Sequence, residues 1–225
     1  NTEPDTWAHN IFKFDKEIGK MSLKSIELVE NGPARAVMRV KHTYGGSYLA
    51  QDYILACKSK LLRVKCRVLW QEPLTILKMP VTVDGENPIS TYEIPAGYIK
   101  RPCNGEEEPA LRWGDVTVGT DCRKGVALIS DSKYSYDCPG NTLRLTMLRN
   151  CIFADHYSDR PCADFSYTDE GLQRFEYAIY PHAGETENSE VQKLSDILNS
   201  KLVAIPVGYH KGVLPQNKSF ISINK

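Results

Sequence analysis

The stretch GVALISDSKYSYDCPGNTLRLTMLR, residues 125–149, decides the fold class of this chain. Its first five residues form an apolar run, and residues 142–148 alternate, with Leu143, Leu145 and Met147 on one face. A five-residue run is too short for a helix, and an alternation with period two is typical of a half-buried strand. The stretch therefore predicts a strand, a polar loop and a second strand.

The loop between these two strands carries side chains suited to a polar ligand. It contains Tyr134, Tyr136, Asp137 and Asn141 and is closed by Pro139-Gly140. Two buried strands would present these aromatic, carboxylate and amide groups from a rigid base, as in many sites for polar ligands such as sugars. We therefore take Tyr136, Asp137 and Asn141 as candidate substrate-binding residues. The alternative is a wide hairpin whose Asp and Asn satisfy only local backbone groups.

Composition argues against several classes of partner. Lys+Arg and Asp+Glu both number 28 among the 225 residues, and the basic residues form no stripe. Nucleic acid and anionic membranes are therefore poor partners. No apolar run approaches the roughly 18 residues that a transmembrane helix needs, and no signal peptide is visible at the start. Because the first residue is Asn1 rather than Met, we expect the chain to be part of a longer protein.

The cysteines and histidines show no metal-binding pattern. The seven cysteines include no CxxC pair, and their spacing fits neither a zinc knuckle nor a disulfide framework, so we expect reduced thiols. The five histidines are never two to four residues apart, which excludes a local zinc pair. One polar loop contains Asp155, His156, Asp159 and Asp164. Such a loop is more often solvated than cation-binding.

Alternating segments separated by turns predict most of the remaining strands. Four of these segments predict an antiparallel meander: 22–30, 34–44, 48–57 and 62–70. In the second strand we expect Ala36, Met38 and Val40 to point inward. Pro80 should place the strand at 74–83 on a sheet edge or at a bulge, because proline cannot donate to a ladder.

The period changes near the C-terminus. Ser189 and Gln192 fit a capping box for a short helix. One apolar stripe at helical spacing follows: Val191, Leu194, Ile197, Leu198 and Leu202. The charge run within 100–110 predicts a solvated loop that serves solubility. About ten to twelve strands and one helix predict an all-β protein, as a large sandwich or an incomplete barrel.

These patterns also suggest a domain organisation. Residues 1–20 are expected to form an irregular arm, and residues 21–185 the β-sandwich. Residues 186–216 are expected to form the helix and a linker. Residues 217–225 would begin the first strand of a following module.

Seven segments stand out in chain order: 5–9 (DTWAH), 92–95 (YEIP), 101–102 (RP), 113–117 (WGDVT), 125–134 (GVALISDSKY), 140–149 (GNTLRLTMLR) and 175–184 (FEYAIYPHAG). Together they strongly resemble the β-sandwich part of glycoside hydrolase family 38, the retaining α-mannosidases. The resemblance is closest to the cytosolic type. The chain departs from the family at Asn150-Cys151, where Ser-Pro often follows the arginine, and at Ala154-Asp155 in place of Pro-Asp.

The resemblance implies a galactose-mutarotase-like β-supersandwich in a cytoplasmic enzyme. It also implies that the nucleophile, the acid/base group and the zinc ligands lie in an N-terminal domain of the same protein. No catalytic residue, metal ligand or cofactor is then expected in this chain, which would be inactive alone. Retaining hydrolysis needs two carboxylates about 5–5.5 Å apart, and the sequence does not identify such a pair here.

The expected role is to complete the mannoside-binding cleft beside the catalytic domain. The resemblance suggests that Arg149 contacts the sugar, although it could instead pair with Asp155 or Asp159. His182, between Pro181 and Gly184, is either a substrate-binding residue or a histidine that fixes a strand-end turn. The sequence leaves open whether the protein forms a homo-oligomer.

Two alternatives come from other functional classes. The first is a self-sufficient aldose mutarotase or epimerase, with His156 or His182 as the acid and an Asp or Glu as the base. The sequence shows no close pairing of histidine and carboxylate, which disfavours it, although sites assembled in space need no such spacing. The second is a structural or carbohydrate-binding module.

Overall fold

A computed structural model describes residues 8, 10–120, 123–153 and 166–200, together with 203, 205–206, 208–209, 211–213, 215, 218–219 and 221. Of the irregular arm predicted at 1–20, residues 8 and 10–20 are described and contain no helix or strand. The predictions for the acidic loop at 155–164 and for Leu202 lie outside the described residues. The predicted final strand lies mostly outside them. The strands predicted between residues 22 and 180 fall within them.

The described chain is almost entirely β-structure. The strands are β1 (Ser22–Asn31), β2 (Arg35–Tyr44), β3 (Ser47–Ala56), β4 (Leu62–Trp70), β5 (Thr75–Thr82), β6 (Ile89–Ile94), β7 (Gly97–Arg101), β8 (Glu108–Pro109), β9 (Trp113–Val118), β10 (Lys124–Ser130), β11 (Ser135–Asp137), β12 (Thr142–Asn150) and β13 (Gly171–Ala183). A 3-10 turn at Thr186–Asn188 and one α-helix, α1 (Val191–Asn199), complete the order.

The strands form two antiparallel sheets. The large sheet has the order β1-β2-β3-β4-β13-β10-β9-β6-β7, and the small sheet has the order β5-β12-β11-β8. The predicted meander is confirmed, since β1 to β4 are neighbours in sequence and in space. The two strands predicted within 125–149 are also confirmed. They lie in different sheets, so the polar stretch between them crosses the sandwich. It contains β11, which forms a hairpin with β12.

The core lies between the facing sides of the two sheets. Leu143, Leu145 and Met147 of β12 are buried there, on the face that the alternation predicted. Val64 and Val68 of β4 are buried in the same cluster. Each fully buried side chain of this size contributes about 1.5–3 kcal/mol relative to exposure. Pro80 lies on β5, an edge strand of the small sheet, as predicted.

The inward face predicted for β2 is wrong. Val37 is its buried residue, whereas Ala36 and Met38 are exposed. The β1–β2 hairpin lies at the edge of the large sheet, and β1 exposes Leu23, Ile26 and Leu28. Alternation identifies the buried face only where one side of a strand is covered, and this hairpin is largely uncovered.

Helix α1 packs on the large sheet, on the side opposite the small sheet. Val191, Leu194 and Leu198 contact a second core cluster around Trp113. Ile197, which the predicted stripe included, is exposed. The predicted capping box is incomplete: Ser189 Oγ accepts a hydrogen bond from Val191 N at 3.3 Å, but the Gln192 side chain accepts one from Trp113 Nε1 at 3.1 Å and does not return to Ser189. Packing against the sheet therefore took precedence over the local cap.

Candidate functional site

The outer face of the small sheet carries a cluster of charged side chains. Its members, which we call the polar face, are Lys78 on β5, Glu107 just before β8, Asp137 on β11 and Arg144 on β12. Asp137 lies directly opposite Arg144 in the ladder. Because side chains of paired residues in neighbouring strands lie on one side of a sheet, the pairing register brings these charges together.

Asp137 is the centre of the polar face. Its side chain is fully buried and accepts hydrogen bonds from Arg144 Nε at 2.6 Å and from Lys78 Nζ at 2.8 Å. The hydrogen bond with Asp137 raises the pKa of Arg144, whereas partial burial lowers it. The hydrogen bond has the larger effect, so the charged guanidinium is favoured. Breaking this cluster is costly, because removing the carboxylate or one of the two cations leaves an uncompensated charge in the low-dielectric interior.

Glu107 completes the charge balance of the polar face. Its carboxylate contacts Lys78 and Thr146 and accepts a hydrogen bond from Ser135 Oγ at 2.7 Å. The prediction that the charge run serves only solubility is therefore wrong for Glu107. The run lies beside the small sheet, where Lys78, which is distant in sequence, and two hydroxyl groups compensate the partly buried carboxylate of Glu107.

Arg149 reaches the outer face through a β-bulge. In a regular strand Arg144 and Arg149, five positions apart, would point to opposite faces. The register shifts between Thr146, which pairs with Lys78, and Leu148, which pairs with Leu77. The additional residue, Met147, changes the alternation and brings Arg149 to the side of Arg144.

The ring of Phe14 covers this face. Arg149 Cζ lies 5.6 Å from the ring centroid, and Lys78 Nζ lies 5.8 Å from the same centroid. The segment is tied down because Glu107 N donates to Phe12 O at 2.8 Å. Both cations lie within the distance at which an aromatic face attracts positive charge. Phe14 therefore connects Arg149 to the polar face.

The remaining predicted loop residues lie elsewhere. Tyr136 is fully buried in the core, and its hydroxyl donates a hydrogen bond to Arg112 O at 3.2 Å. Burial raises the pKa of Tyr136. Asn141 lies in the turn before β12, where its backbone carbonyl accepts a hydrogen bond from Val83 N at 3.0 Å. At about 3.3 Å per residue, Asn141 lies roughly 26 Å along the strand from Arg149. Arg149 and Asp137 are thus the two predicted residues that the fold brings to one face.

His182 belongs to the large sheet. Strand β13 continues through it to Ala183. Its Nε2 lies 3.1 Å from Oδ1 of the fully buried Asp115, and its side chain is 2% exposed. Thr186 Oγ1 donates to the other oxygen of the same carboxylate. In this position His182 offers little surface to a substrate.

Gly125 accommodates the imidazole of His182. A Cβ at this position would lie 2.8 Å from the His182 ring and 2.8 Å from Thr117 Cγ2. We expect Gly125→Ala to lower the free energy of unfolding by roughly 1–3 kcal/mol through overpacking, measured by denaturant titration. Gly97→Ala is the control, because no heavy atom lies within 4 Å of its added Cβ. Equal stability of the two variants would contradict this tight contact.

The His182–Asp115 pair predicts a pH-dependent stability. Burial disfavours the imidazolium, but the hydrogen bond and the charge of Asp115 outweigh it and raise the pKa of His182. Its contribution is therefore fully present below the ordinary pKa of about 6.5 and is lost as the pH rises through the raised value. The free energy of unfolding of the unchanged protein should exceed that of the His182→Gln variant, and this difference should be largest at low pH. A difference that grows toward alkaline pH would contradict this assignment.

A pocket lies between α1 and the edge of the large sheet. Its volume is about 440 Å³, and its lining includes Glu93, Tyr98, Arg112 and Gln192. The three N–H···O contacts of Arg112 with Glu93 already engage both carboxylate oxygens. None of the five predicted site residues, all of which are described, lines this pocket.

Among the described residues, no three His, Cys, Asp or Glu side chains gather to hold a metal ion. The zinc that the sequence resemblance implies therefore has no ligand set in this part of the chain. Across the same residues, no helix is long and apolar enough to span a membrane.

A two-sheet β-sandwich with one packed helix has counterparts among known proteins. The chain matches the family described as "Glycosyl hydrolases family 38 C-terminal domain" over residues 1–157. It belongs to that family, as the sequence resemblance indicated.

Similar curated proteins include α-mannosidases. Alpha-mannosidase G of Dictyostelium discoideum is 26% identical over 235 aligned residues, which cover 98% of this chain and 20% of the relative. Alpha-mannosidase 2C1 of Mus musculus is 30% identical over 168 residues, covering 71% of this chain and 15% of the relative. The chain thus spans a fifth or less of the length of these relatives.

Solved structures show the same fold. A family 38 glycosyl hydrolase from Enterococcus faecalis superimposes with a TM-score of 0.71 at 16% identity, covering 86% of this chain and 26% of that one. An α-mannosidase from Enterococcus faecalis V583 gives a TM-score of 0.70 at 14% identity. The predicted all-β supersandwich with one short helix is confirmed.

Proposed function

We propose that this chain is the β domain of a retaining α-mannosidase and completes the cleft that binds terminal α-mannosides. The nucleophile, the acid/base group and the zinc ligands would belong to an N-terminal catalytic domain of the same protein. Family membership supports this proposal, as do the names of the similar proteins. The cytoplasmic location implied by the sequence resemblance stays a prediction.

The observation that carries the proposal is the direction of Arg149. A one-residue bulge turns this side chain onto the outer face, beside a buried ion cluster and above an aromatic ring. A guanidinium is a planar fork of donors, which suits two adjacent sugar hydroxyls. We propose that Arg149 donates to the mannoside in the assembled cleft.

The other members of the polar face would act by positioning. Asp137 holds Lys78 and Arg144, and Lys78 shares the Phe14 ring with Arg149. Restricting the rotamers of these long side chains before substrate arrives reduces the entropy lost on binding. Asp137 would therefore serve the site without touching sugar. Asn141 and His182 lie apart from this face, and we assign neither to the cleft.

The direct test compares the intact protein with its parts. We expect the full-length protein that contains this chain to hydrolyse an aryl α-mannoside, and the isolated chain to give no turnover. A variant of the full-length protein from which this domain is deleted should also be inactive, because the cleft would be incomplete. Turnover by the isolated chain would overturn the assignment of chemistry to another domain. Full activity without the chain would overturn its role in the cleft.

A further inference from the structure

Two cysteines meet where the edge of the large sheet approaches the small sheet. Cys103 follows β7, and Cys138 directly follows β11. The N–H of Gly140 donates to Cys103 O at 3.0 Å, and the N–H of Gly105 donates to Cys138 O at 3.2 Å. These bonds hold the two segments at the distance of paired strands.

The two cysteines lie on one side of this pairing. Cys103 is opposite Gly140 and Cys138 is opposite Gly105. The Cys138 thiol points back toward Cys103, because its Sγ donates to Gly140 O at 3.3 Å. Cys138 is 1% exposed in the core, and Cys103 is partly exposed and packs against the same cluster. Both are free thiols in the structure.

The surroundings give the two thiols different reactivity. The neighbouring Cys138 thiol lowers the pKa of Cys103 more than burial raises it, and hydrogen bonds from Ser90 act in the same direction. The neighbouring Cys103 sulfur, followed by burial, raises the pKa of Cys138. A partly exposed thiolate beside a buried thiol is the arrangement of an attacking and a resolving cysteine.

We propose that Cys103 and Cys138 form a reversible disulfide on reaction with a small-molecule disulfide of the glutathione type. The Cys103 thiolate attacks one sulfur of oxidised glutathione, and one glutathione leaves as its thiolate. The sulfur of Cys138 loses its proton to solvent, attacks the Cys103 sulfur and releases the second glutathione. The external disulfide is reduced to two thiols while the two protein thiols are oxidised, so the electrons balance.

The bond would join the two sheets covalently. It would connect the edge strand β7 of the large sheet to β11 of the small sheet, one residue after Asp137. A cross-link of this kind stabilises chiefly by restricting the unfolded chain. Oxidation should therefore raise the melting temperature, and reduction should restore the original value.

The test treats the whole chain with oxidised glutathione and maps its peptides by mass spectrometry without reduction. We expect a cross-linked Cys103–Cys138 peptide that dithiothreitol removes, together with a raised melting temperature. Wild-type protein that acquires only glutathione adducts, with no cross-linked peptide, would overturn the proposal. This result does not depend on the folding of any variant.

Variants separate the roles of the two thiols. Cys138→Ala should stop at a glutathione adduct on Cys103, whereas Cys103→Ala should leave Cys138 unmodified. Cys57→Ala removes an exposed thiol in another part of the sheet and should leave the cross-link unchanged. Failure of Cys138→Ala to accumulate the Cys103 adduct would contradict the order of attack.

Discussion

Replacing Asp137 with alanine should lower the free energy of unfolding by about 3–5 kcal/mol, the loss expected when one member of a buried ion pair is removed. The fully buried carboxylate is the common acceptor for Lys78 and Arg144. Without it, Lys78 and Arg144 lie together on a partly buried surface without the carboxylate that bonds both of them. The measurement is chemical denaturation at neutral pH.

The control for this substitution is Glu30→Ala. Glu30 also accepts Arg hydrogen bonds, from Arg35 Nε at 2.9 Å and Arg35 Nη2 at 2.9 Å, but both partners are exposed. Exposed ion pairs contribute little to stability because water solvates the separated charges. A loss for Asp137→Ala no larger than for Glu30→Ala would show that the polar face does not stabilise the sandwich.

Arg149→Lys in the full-length enzyme should lower kcat/KM for an α-mannoside by roughly ten- to a hundredfold, the loss of one or two charge-assisted hydrogen bonds. Lysine keeps the positive charge, but it cannot reproduce the planar fork of donors. The melting temperature should barely change, because lysine can retain the cation contact with Phe14. Steady-state kinetics and thermal denaturation of one preparation measure both quantities.

The matched control is Arg39→Lys. Arg39 donates to Asp52 at 2.6 Å on the β2–β3 part of the large sheet, away from the polar face. Its replacement should leave kcat/KM unchanged. If Arg149→Lys keeps full kcat/KM and instead lowers the melting temperature by several degrees, Arg149 is a structural ion-pair residue and not a sugar contact.

Local patterns predicted the strands well because strands and turns are local features. The alternation around Leu145 and the four segments of the meander can each be recognised from neighbouring residues alone. The inward face of β2 was wrong for a physical reason. Which side of a strand is covered depends on packing partners from other parts of the chain. The residues next to Val37 in sequence do not indicate that its side of β2 is the buried one.

The candidate site was only partly predictable. Asp137 and Arg149 were selected from the sequence, but Lys78, Glu107 and Phe14 were not, because distant segments bring them together. The bulge at Met147 was equally hidden, since a regular alternation predicts the opposite direction for Arg149. The alternation places Arg144 on the outward face of its strand. A β-hairpin register that pairs Asp137 with Arg144 would have predicted that these two charges meet.

The pairing of β4 with β13 has a consequence for biosynthesis. Arg63 and Glu176, which meet across this pairing, are 113 residues apart in sequence. At about 5–20 residues per second, the ribosome needs roughly 5 to 20 s to supply β13 after β4. During that interval the β1–β4 meander can form from local contacts, but β4 remains an unpaired edge strand whose apolar face, with Val64 and Val68, is uncovered. We expect this nascent intermediate to be the species most exposed to aggregation and to chaperone binding, because an unpaired edge recruits other strands.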